Sequence, residues 1–415
     1  MAERPARWSP WRTVTVFGFV SLAADMVYEG MRSVAGPYLA ALGAGALVVG
    51  LVTGAGEATA LVLRLVSGPL ADRWGRHWTL TTVGYAMTAV CVPLLALAPH
   101  LGAAGLSFAA VLILLERAGK AVRSPSKSAL LADVAREVGR GKGFAVHKAL
   151  DQVGAFAGPL AVAGVLALTA SMSTALALLA LPGLVAMLLL ALLRARVGGP
   201  GGIGDGPPEP SGGTGAGTAI EPADATVLPR SFYLFALSVA CSTAGLTTFG
   251  VLSFHLVEAG LVPLAGVPLV YAGAMLVAAV GALATGWAYD RWQGRVLHVL
   301  APLVALVPVL ALADALVAVL VGLAAWALAG GVQDSTVKAL VADLVPRRRL
   351  ATAYGLFAAF QGAAALLGGV GAGALYAEHR GLLVVLVALL QVVAAALLVR
   401  VLRRSGAGAR GVAAR

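Results

Sequence analysis

The sequence predicts an all-α membrane protein made of two bundles of six helices. Hydrophobic residues make up 60% of the 415 residues, charged residues make up only 12%, and the mean hydropathy is +0.90. A soluble domain needs more polar surface than this. Apolar segments of membrane-spanning length recur along the chain, and a charged loop around Asp72 returns around Asp290. We therefore expect a duplicated array of transmembrane helices.

Twelve apolar segments are long enough to cross a bilayer as helices. The first begins after a basic N-terminus, as a signal peptide does. Asp25 and Glu29 interrupt it, however, and it is longer than a signal-peptide core, so it is interpreted as an uncleaved helix. The predicted ranges are 13–38, 46–70, 79–98, 103–122, 143–169, 172–195, 231–257, 264–288, 296–313, 315–334, 351–376 and 381–402.

Basic residues indicate how these segments are oriented. Arg and Lys concentrate at the N-terminus, in every second connection and in the tail, whereas the alternate connections hold almost none besides Arg380. The positive-inside rule then places both termini in the cytoplasm, and an even number of spans agrees. This placement also explains the net charge of +11 without a nucleic-acid surface. The predicted location is the cell inner membrane, with multiple spans.

A Gly- and Pro-rich segment, 197–229, separates the first six apolar segments from the last six. Its composition predicts a flexible cytoplasmic linker. The N-terminal bundle is therefore expected at 1–196, the C-terminal bundle at 230–403 and a cytoplasmic tail at 404–415.

The loops that follow the second and eighth segments carry the most specific pattern. The first reads Gly68-Pro-Leu-Ala-Asp72-Arg73-Trp74-Gly75-Arg76, and the second reads Gly286-Trp-Ala-Tyr-Asp290-Arg291-Trp292-Gln-Gly294-Arg295. A second repeated run, ending in Ala132-Asp133 and again in Ala342-Asp343, occurs in the same order. Two ordered matches favour an internal duplication.

The first loop resembles the cytoplasmic motif Gly-x-Leu-Ala-Asp-Arg-x-Gly-Arg-Lys/Arg of the major facilitator superfamily. His77 replaces the last cation of that motif, and the second copy has one extra residue before Gly294. Together with twelve segments and a central linker, the resemblance covers nearly the whole chain. It implies two pseudo-symmetric six-helix bundles and secondary transport by alternating access.

The resemblance assigns this loop to a cytoplasmic gate, where contacts from Asp72 hold the two halves together while the transporter faces outward. The gate residues are Gly68, Asp72, Arg73, Gly75, Arg76, Asp290, Arg291, Gly294 and Arg295. The alternative is a basic loop that only sets topology. Topology alone requires neither Asp72 nor the glycines.

Ionisable residues inside the apolar segments predict the functional site, because each costs free energy in a bilayer unless it faces a cavity or a partner. Asp25, Glu29 and Glu57 are the leading proton carriers, with Arg32 or Arg64 as charge partners. The residues assigned to the proton-coupling and substrate cavity are Asp25, Glu29, Arg32, Glu57, Arg64, Glu116, Arg117, Asp151 and Gln361.

Each of these assignments has an alternative. The carboxylates and arginines can form a permanently paired structural network in the N-terminal half. Lys120 and Arg123, on the same segment as Glu116, can extend to the cytoplasmic interface as snorkelling side chains. Gln361 can be a helix-packing contact. In the second half, Asp334 and Lys338 are expected to form a structural pair, and His255 is expected at the outer interface.

The fifth segment contains Gly154-Ala-Phe-Ala-Gly158-Pro159, which resembles part of the motif associated with antiporters. Ala145 stands where that motif has a glycine. The glycines provide surfaces for close helix packing, and Pro159 is expected to bend the helix.

The predicted function is proton-coupled export, by antiport, of a small organic or drug-like molecule. The chain has no nucleotide-binding Gly-x-x-x-x-Gly-Lys-Ser/Thr loop, and no His-Glu-x-x-His or Gly-x-Ser-x-Gly motif that would suggest an enzyme. Cys91 and Cys241 lie in separate predicted helices, so no metal site, cofactor or disulfide is expected. The expected partners are the substrate, protons and the lipid bilayer, with no nucleic acid, and the protein is expected to be monomeric.

Two other functions fit the sequence. The first is proton-coupled uptake of an anionic metabolite, in which Arg32, Arg64 or Arg117 binds the substrate. The second is a transporter-like scaffold or sensor, in which the charges only hold the fold together.

Overall fold

The computed structural model describes residues 8–197, 228–346 and 349–413, and every regular element in these ranges is a helix. Most of the predicted linker, 197–229, therefore lies outside the described residues. The α-helices are α1 (Pro10–Ala41), α2 (Ala46–Val62), α3 (Arg64–Trp74), α4 (His77–Leu94), α5 (Gly105–Val138), α6 (Arg140–Thr169), α7 (Met172–Leu178), α8 (Ala180–Val197), α9 (Arg230–Gly245), α10 (Phe249–Glu258), α11 (Gly266–Trp292), α12 (Leu300–Leu310), α13 (Leu316–Asp334), α14 (Thr336–Leu344), α15 (Leu350–Tyr376) and α16 (Arg380–Ala413).

Ten stretches of the described chain are long and apolar enough to span a bilayer. Two of them, His77–Val138 and Gly266–Leu310, contain 62 and 45 residues. One crossing needs only about 20 residues. Both stretches contain a 3-10 segment, Leu95–Ala104 in the first and Gln293–Val299 in the second, at which the chain can reverse direction. Two crossings in each of these stretches agree with the twelve predicted segments.

One predicted segment, 231–257, is interrupted in the structure. Leu246–Thr248 separates α9 from α10 and has extended backbone at both ends, with ψ of 95° and 148°. The carbonyl of Thr247 accepts a hydrogen bond from Nε1 of Trp326 at 2.8 Å, which replaces a helical bond. Gly245 and the adjacent threonines weaken the helix locally. The partner that stabilises the break comes from α13.

Residue contacts divide the chain into two compact units. The first contains the described residues of Met1–Gly43, Val62–Gly215 and Leu264–Ala272. Its helix α1 packs along α6 and α8, and α4 packs along α5. Aromatic side chains of α1 and α4, including Phe17 and Trp78, fill a core between these helices and α8. This core fixes which face of α1 points toward α5 and α6.

The second unit contains the described residues of Ala44–Leu61, Ala216–Pro263 and Gly273–Arg415. In it α9 packs between α15 and α16, and α12 packs against α13 and α16. Helix α2 belongs to this unit and crosses α15 at glycines. The predicted bundles follow chain order, whereas the contact-defined units exchange Ala44–Leu61 and Leu264–Ala272.

Candidate functional site

Two stripes of polar side chains with identical spacing meet inside the first unit. One stripe lies on α1 (Ser21, Asp25, Tyr28, Arg32) and the other lies on α5 (Glu116, Lys120, Arg123, Lys127). Spacings of four, three and four residues place each stripe on a single helical face. Together with neighbouring side chains they form what we call the charged network: Ser21, Asp25, Tyr28, Glu29, Arg32, Thr88, Glu116, Arg117, Lys120, Arg123, Lys127, Lys148, Asp151 and Tyr271.

The innermost part of the network is an ion pair between Glu116 and Arg117. Glu116 is 0% exposed and Arg117 is 4% exposed. Arg117 donates from Nε to Glu116 Oε2 at 2.8 Å, and its Nη2 lies 2.8 Å from the same oxygen. The hydroxyl of Thr88 donates to Glu116 Oε1 at 3.1 Å. The carboxylate is therefore compensated by a cation and a hydroxyl, as a buried charge requires.

Cations surround the ring of Tyr28. Arg117 donates from Nη1 to the Tyr28 hydroxyl, and its Cζ lies 3.7 Å from the ring centroid. Lys120 Nζ lies 3.6 Å from the same centroid, and Arg32 Cζ lies 5.9 Å from it. The negative face of an aromatic ring attracts such cations. Tyr28 thus holds positive charge at a point where α1 meets α5.

Asp25 is paired with a cation from α5. Arg123 Nη2 lies 3.8 Å from Asp25 Oδ1, and Arg123 also donates to the Thr88 hydroxyl at 2.5 Å. Arg123 is 3% exposed, and its Cζ lies 4.7 Å from the ring centroid of Tyr85. This position is wrong for a snorkelling side chain, because the guanidinium is enclosed by protein rather than by interfacial water.

Asp151 on α6 joins the network from the other side. Ser21 donates to Asp151 Oδ1 at 2.8 Å, and Lys148 donates to Oδ2 at 2.7 Å. Lys127 Nζ lies 4.0 Å from Asp151 Oδ1. The carboxyl groups of Asp25 and Asp151 are within hydrogen-bonding range of each other. Because Lys148 is 67% exposed, the network leads from an accessible lysine to buried groups.

Glu29 has a separate partner in the first unit. The hydroxyl of Tyr271, from the first turns of α11, donates to Glu29 Oε2 at 2.5 Å. Arg32 Nη1 lies 3.8 Å from the same oxygen. Glu29 is 8% exposed and Tyr271 is 0% exposed. A charge inside the bilayer is thus held by a neutral donor from a distant segment as well as by its own helix.

The remaining predicted cavity residues lie elsewhere. Glu57 is half-buried on α2, which belongs to the second unit. Arg64 is half-buried at the start of α3, because the predicted second segment breaks at Leu63. Gln361 is half-buried on α15 in the second unit. Their roles in transport stay predictions.

The loop after α3 turns at a left-handed glycine. Gly75 has φ 59° and donates its backbone N–H to the Ala71 carbonyl at 3.0 Å, which ends the helix. This conformation suits glycine because it has no Cβ. Gly68 has a different setting, since a Cβ there would meet no described atom within 4 Å. The side chain of Asp72 lies outside the described part of the molecule, so its gate contact stays a prediction.

In the second copy, the left-handed residue is Gln293, with φ 50°, and not Gly294. Gln293 stands three residues after Asp290, as Gly75 stands three after Asp72. Gly294 is buried, and a Cβ there would lie 2.6 Å from Leu402 Cδ2. The extra residue therefore separates the turning position from the packing glycine.

Exchanging the residues at the two turning positions should have opposite effects on stability. Gln293→Gly is expected to raise the free energy of unfolding by about 1 kcal/mol, because the left-handed backbone is strained for residues with a Cβ. Gly75→Gln is expected to lower it by about the same amount. Unfolding in denaturant measures both changes. Destabilisation by Gln293→Gly would show that the glutamine side chain, not the backbone, stabilises this turn.

Glycines of α6 pack against the backbone of α1. A Cβ at Gly154 would lie 2.8 Å from Leu22 Cα, and a Cβ at Gly158 would lie 2.8 Å from Met26 Cα. Such contacts bring two helices unusually close, as small residues do in membrane proteins. Pro159 lies inside a helix that continues from Arg140 to Thr169. The glycines therefore set the separation between the helices that carry Asp25 and Asp151.

Two expectations for the second half have different outcomes. Asp334 and Lys338 form the expected pair, with 3.2 Å between Oδ1 and Nζ. The expected interfacial position of His255 is wrong. This ring is 0% exposed, its Nδ1 lies 2.8 Å from the Tyr376 hydroxyl, and its Nε2 lies 2.9 Å from the Ala313 carbonyl. Hydrogen bonds to both ring nitrogens allow the histidine to be buried.

Comparison with known proteins decides the family. The sequence model of the Major Facilitator Superfamily matches residues 17–313, which is more than half of the chain. The chain belongs to the major facilitator superfamily. The resemblance inferred from the loop at Gly68–Arg76 is thereby confirmed, as is the all-helical fold.

Relatives of this superfamily member occur in bacteria and archaea. A protein of Mycobacterium tuberculosis is 50% identical over 394 residues, which cover 95% of this chain and 93% of the relative. A protein of Methanocaldococcus jannaschii described as an MFS-type transporter is 29% identical over 148 residues, or 35% of each chain.

Solved structures show the same fold. The nucleoside transporter NupG superposes with a TM-score of 0.73 at 13% identity, over 94% of this chain and 99% of that one. A POT family transporter in complex with 5-aminolevulinic acid gives a TM-score of 0.72 at 14% identity, over 94% and 95%. This superfamily member is therefore a multi-pass membrane protein, and its family and fold support secondary transport rather than enzymatic catalysis.

The sequence missed the neutral members of the charged network. Ser21, Tyr28 and Thr88 carry no charge, so nothing about them signals a cost in the bilayer. Their positions gave a usable signal nonetheless. Ser21 and Tyr28 lie four residues before and three residues after Asp25, on the face that a helical period assigns to a partner.

Proposed function

We propose that this superfamily member is a proton-coupled transporter and that Asp25 and Asp151 hold the coupled proton. The observation that carries the proposal is the approach of the two carboxyl groups to hydrogen-bonding range. An ionised carboxylate only accepts hydrogen bonds, so two of them require a proton between them. Two carboxylates that share one site therefore behave as a proton-binding pair.

Neighbouring cations make proton release possible. Arg123 lies 3.8 Å from Asp25, and Lys127 and Lys148 lie 4.0 and 2.7 Å from Asp151. These charges can compensate both carboxylates once the shared proton leaves. A change in the distance between α1 and α6 would shift the balance between the shared-proton and separated states.

The packing of α6 on α1 supports coupling to movement. The backbone contacts at Gly154 and Gly158 lie on the same two helices as Asp151 and Asp25. Glycine surfaces allow helices to slide or rock without side-chain obstruction. Sliding at these contacts would separate the carboxyl groups and release the proton.

We favour export over uptake because the Gly154-to-Pro159 pattern resembles the antiporter motif. In this arrangement the exposed Lys148 lies toward the cytoplasm, both termini are cytoplasmic, and the protein resides in the inner membrane. The loop at Asp72 acts as the cytoplasmic gate, and the tight turn at Gly75 supports a loop of defined shape. The transported molecule is a small organic compound.

Removal of either carboxyl group tests the proton site. Asp25→Asn and Asp151→Asn are each expected to abolish the protonated-carboxyl infrared band of the purified protein, because neither leaves a carboxyl pair. In everted vesicles screened with a compound library, each should reduce compound-induced proton movement by about 100-fold while substrate exchange without a pH gradient continues. The control is Asp334→Asn, whose carboxylate is 83% exposed.

Two results would contradict the proposal. A carboxyl band and proton movement that survive in both variants would place the proton elsewhere, with Glu29 as the next candidate. A wild-type protein that moves no library compound with or without protons would favour the scaffold or sensor function.

A second candidate function is proton-coupled uptake of an anionic metabolite. The three cations around Tyr28 favour it, because they attract negative charge. The direction of the pH gradient that drives net flux separates the two candidates. Export by antiport takes up protons into the cell as substrate leaves, whereas uptake by symport moves both inward.

A further inference from the structure

We infer that the transported molecule carries a carboxylate or phosphate group and that Lys120 binds this group beside Tyr28. The inference rests on the proposed transport function and names the substrate class. Its site is the part of the first unit where Lys120 and Arg32 flank one aromatic ring.

The argument begins with the pairing of cations in the charged network. Arg117 is paired with Glu116, and Arg123 is paired with Asp25. The other paired cations are Arg32 with Glu29, Lys127 with Asp151 and Lys148 with Asp151. Within the residues that the structure describes, the Lys120 ammonium makes no hydrogen bond and no ion pair. It is the network's unmatched positive charge in that part of the chain.

The contact with Tyr28 positions Lys120 but does not neutralise it. The ring attracts the ammonium through its quadrupole, yet it carries no net charge. Arg117 lies 3.7 Å from the same centroid, so the ring is shared between two cations. A lysine held among arginines inside a membrane protein is unfavourable unless a negative group joins it.

The surroundings of Lys120 can admit such a group. Tyr28 is 1% exposed, but the lysine is only half-buried, and the Arg32 side chain is 28% exposed. Both cations are therefore accessible on the side of the network away from Glu116. An anionic group placed there contacts the Lys120 ammonium directly and lies within the field of Arg32.

A purely structural lysine makes the opposite prediction for stability. If Lys120 serves only to hold α1 against α5 through Tyr28, its removal destabilises the empty protein. If it awaits an anion, its removal relieves charge repulsion. Lys120→Met is then expected to raise the melting temperature of the ligand-free protein by about 1–2 °C.

The binding test uses the full-length protein in detergent at constant ionic strength. Glutarate, benzoate and inorganic phosphate are the anionic probes, and glutaramide is the neutral control. At least one anion is expected to raise the wild-type melting temperature by about 2–4 °C, and glutaramide is expected to have no effect. Lys120→Met should abolish the shift and Lys120→Arg should retain it. Lys338→Met, which changes a 53% exposed lysine in the second unit, should also retain it.

Added phosphatidylglycerol distinguishes a lipid headgroup from a soluble anion. A shift that depends on Lys120 and occurs only with this lipid would overturn the assignment to the transported molecule. The inference also fails if no anion stabilises the wild type, if Lys120→Met keeps the shift, or if Lys120→Met lowers the ligand-free melting temperature. The infrared band of the Asp25 and Asp151 pair is read without these probes, so either proposal can fail alone.

Discussion

Replacing Arg117 with methionine is expected to lower the free energy of unfolding by about 3–5 kcal/mol. The substitution leaves Glu116 fully buried with only the Thr88 hydroxyl as a partner. An uncompensated carboxylate in a protein interior is among the most unfavourable changes that a single substitution can make. Unfolding of the purified protein in denaturing detergent, followed by helical circular dichroism, measures the loss.

The matched control is the double variant Glu116→Gln with Arg117→Met. It removes both charges and keeps an acceptor for Thr88, so it should recover most of the lost stability. The comparison separates the buried carboxylate from the lost contact between Arg117 and Tyr28, which both variants lack. Equal instability in the single and double variants would show that the Tyr28 contact, and not the uncompensated charge, carries the effect.

Replacing Gly369 with leucine is expected to cost about 3 kcal/mol of stability and to abolish transport. A Cβ at this position would lie 3.0 Å from Gly54 Cα on α2 and closer still to the Gly50 carbonyl oxygen. Backbone atoms cannot rotate away as side chains can, so α2 and α15 would have to separate. Thermal unfolding and reconstituted flux measure the two effects.

The matched control is Gly371→Leu on the same helix. A Cβ at Gly371 would meet no described atom within 4 Å, so this variant should fold and transport nearly as well as the wild type. Similar losses in both variants would indicate a general effect of leucine in α15. A folded, active Gly369→Leu protein would show that the contact between α2 and α15 is dispensable.

The residues of the charged network illustrate what can be predicted from a membrane-protein sequence. Asp25, Glu116 and Asp151 were recognisable because an ionisable side chain in an apolar segment needs a reason to be there. Their partners were less accessible. Asp25 is paired with Arg123, ninety-eight positions later in the chain, because the crossing of α1 and α5 brings the two side chains together.

Hydrophobicity also concealed where helices break. The segment 231–257 has the composition of one continuous span, yet the structure interrupts it at Leu246–Thr248. The break is tolerated because Trp326 donates a hydrogen bond to the freed Thr247 carbonyl. A pattern in one segment contains no information about a donor supplied by another.

The sequence by itself determined that this is a helical membrane protein, approximately where its helices run, and which loops are related. A bilayer imposes those features locally, through length, apolarity and the cost of charge. The tertiary structure alone decided that Asp25 meets Asp151, that Gln293 makes the second left-handed turn, and that α2 packs with α15. These depend on how distant helices cross, and crossing is set by side-chain and glycine packing rather than by the period of any one segment.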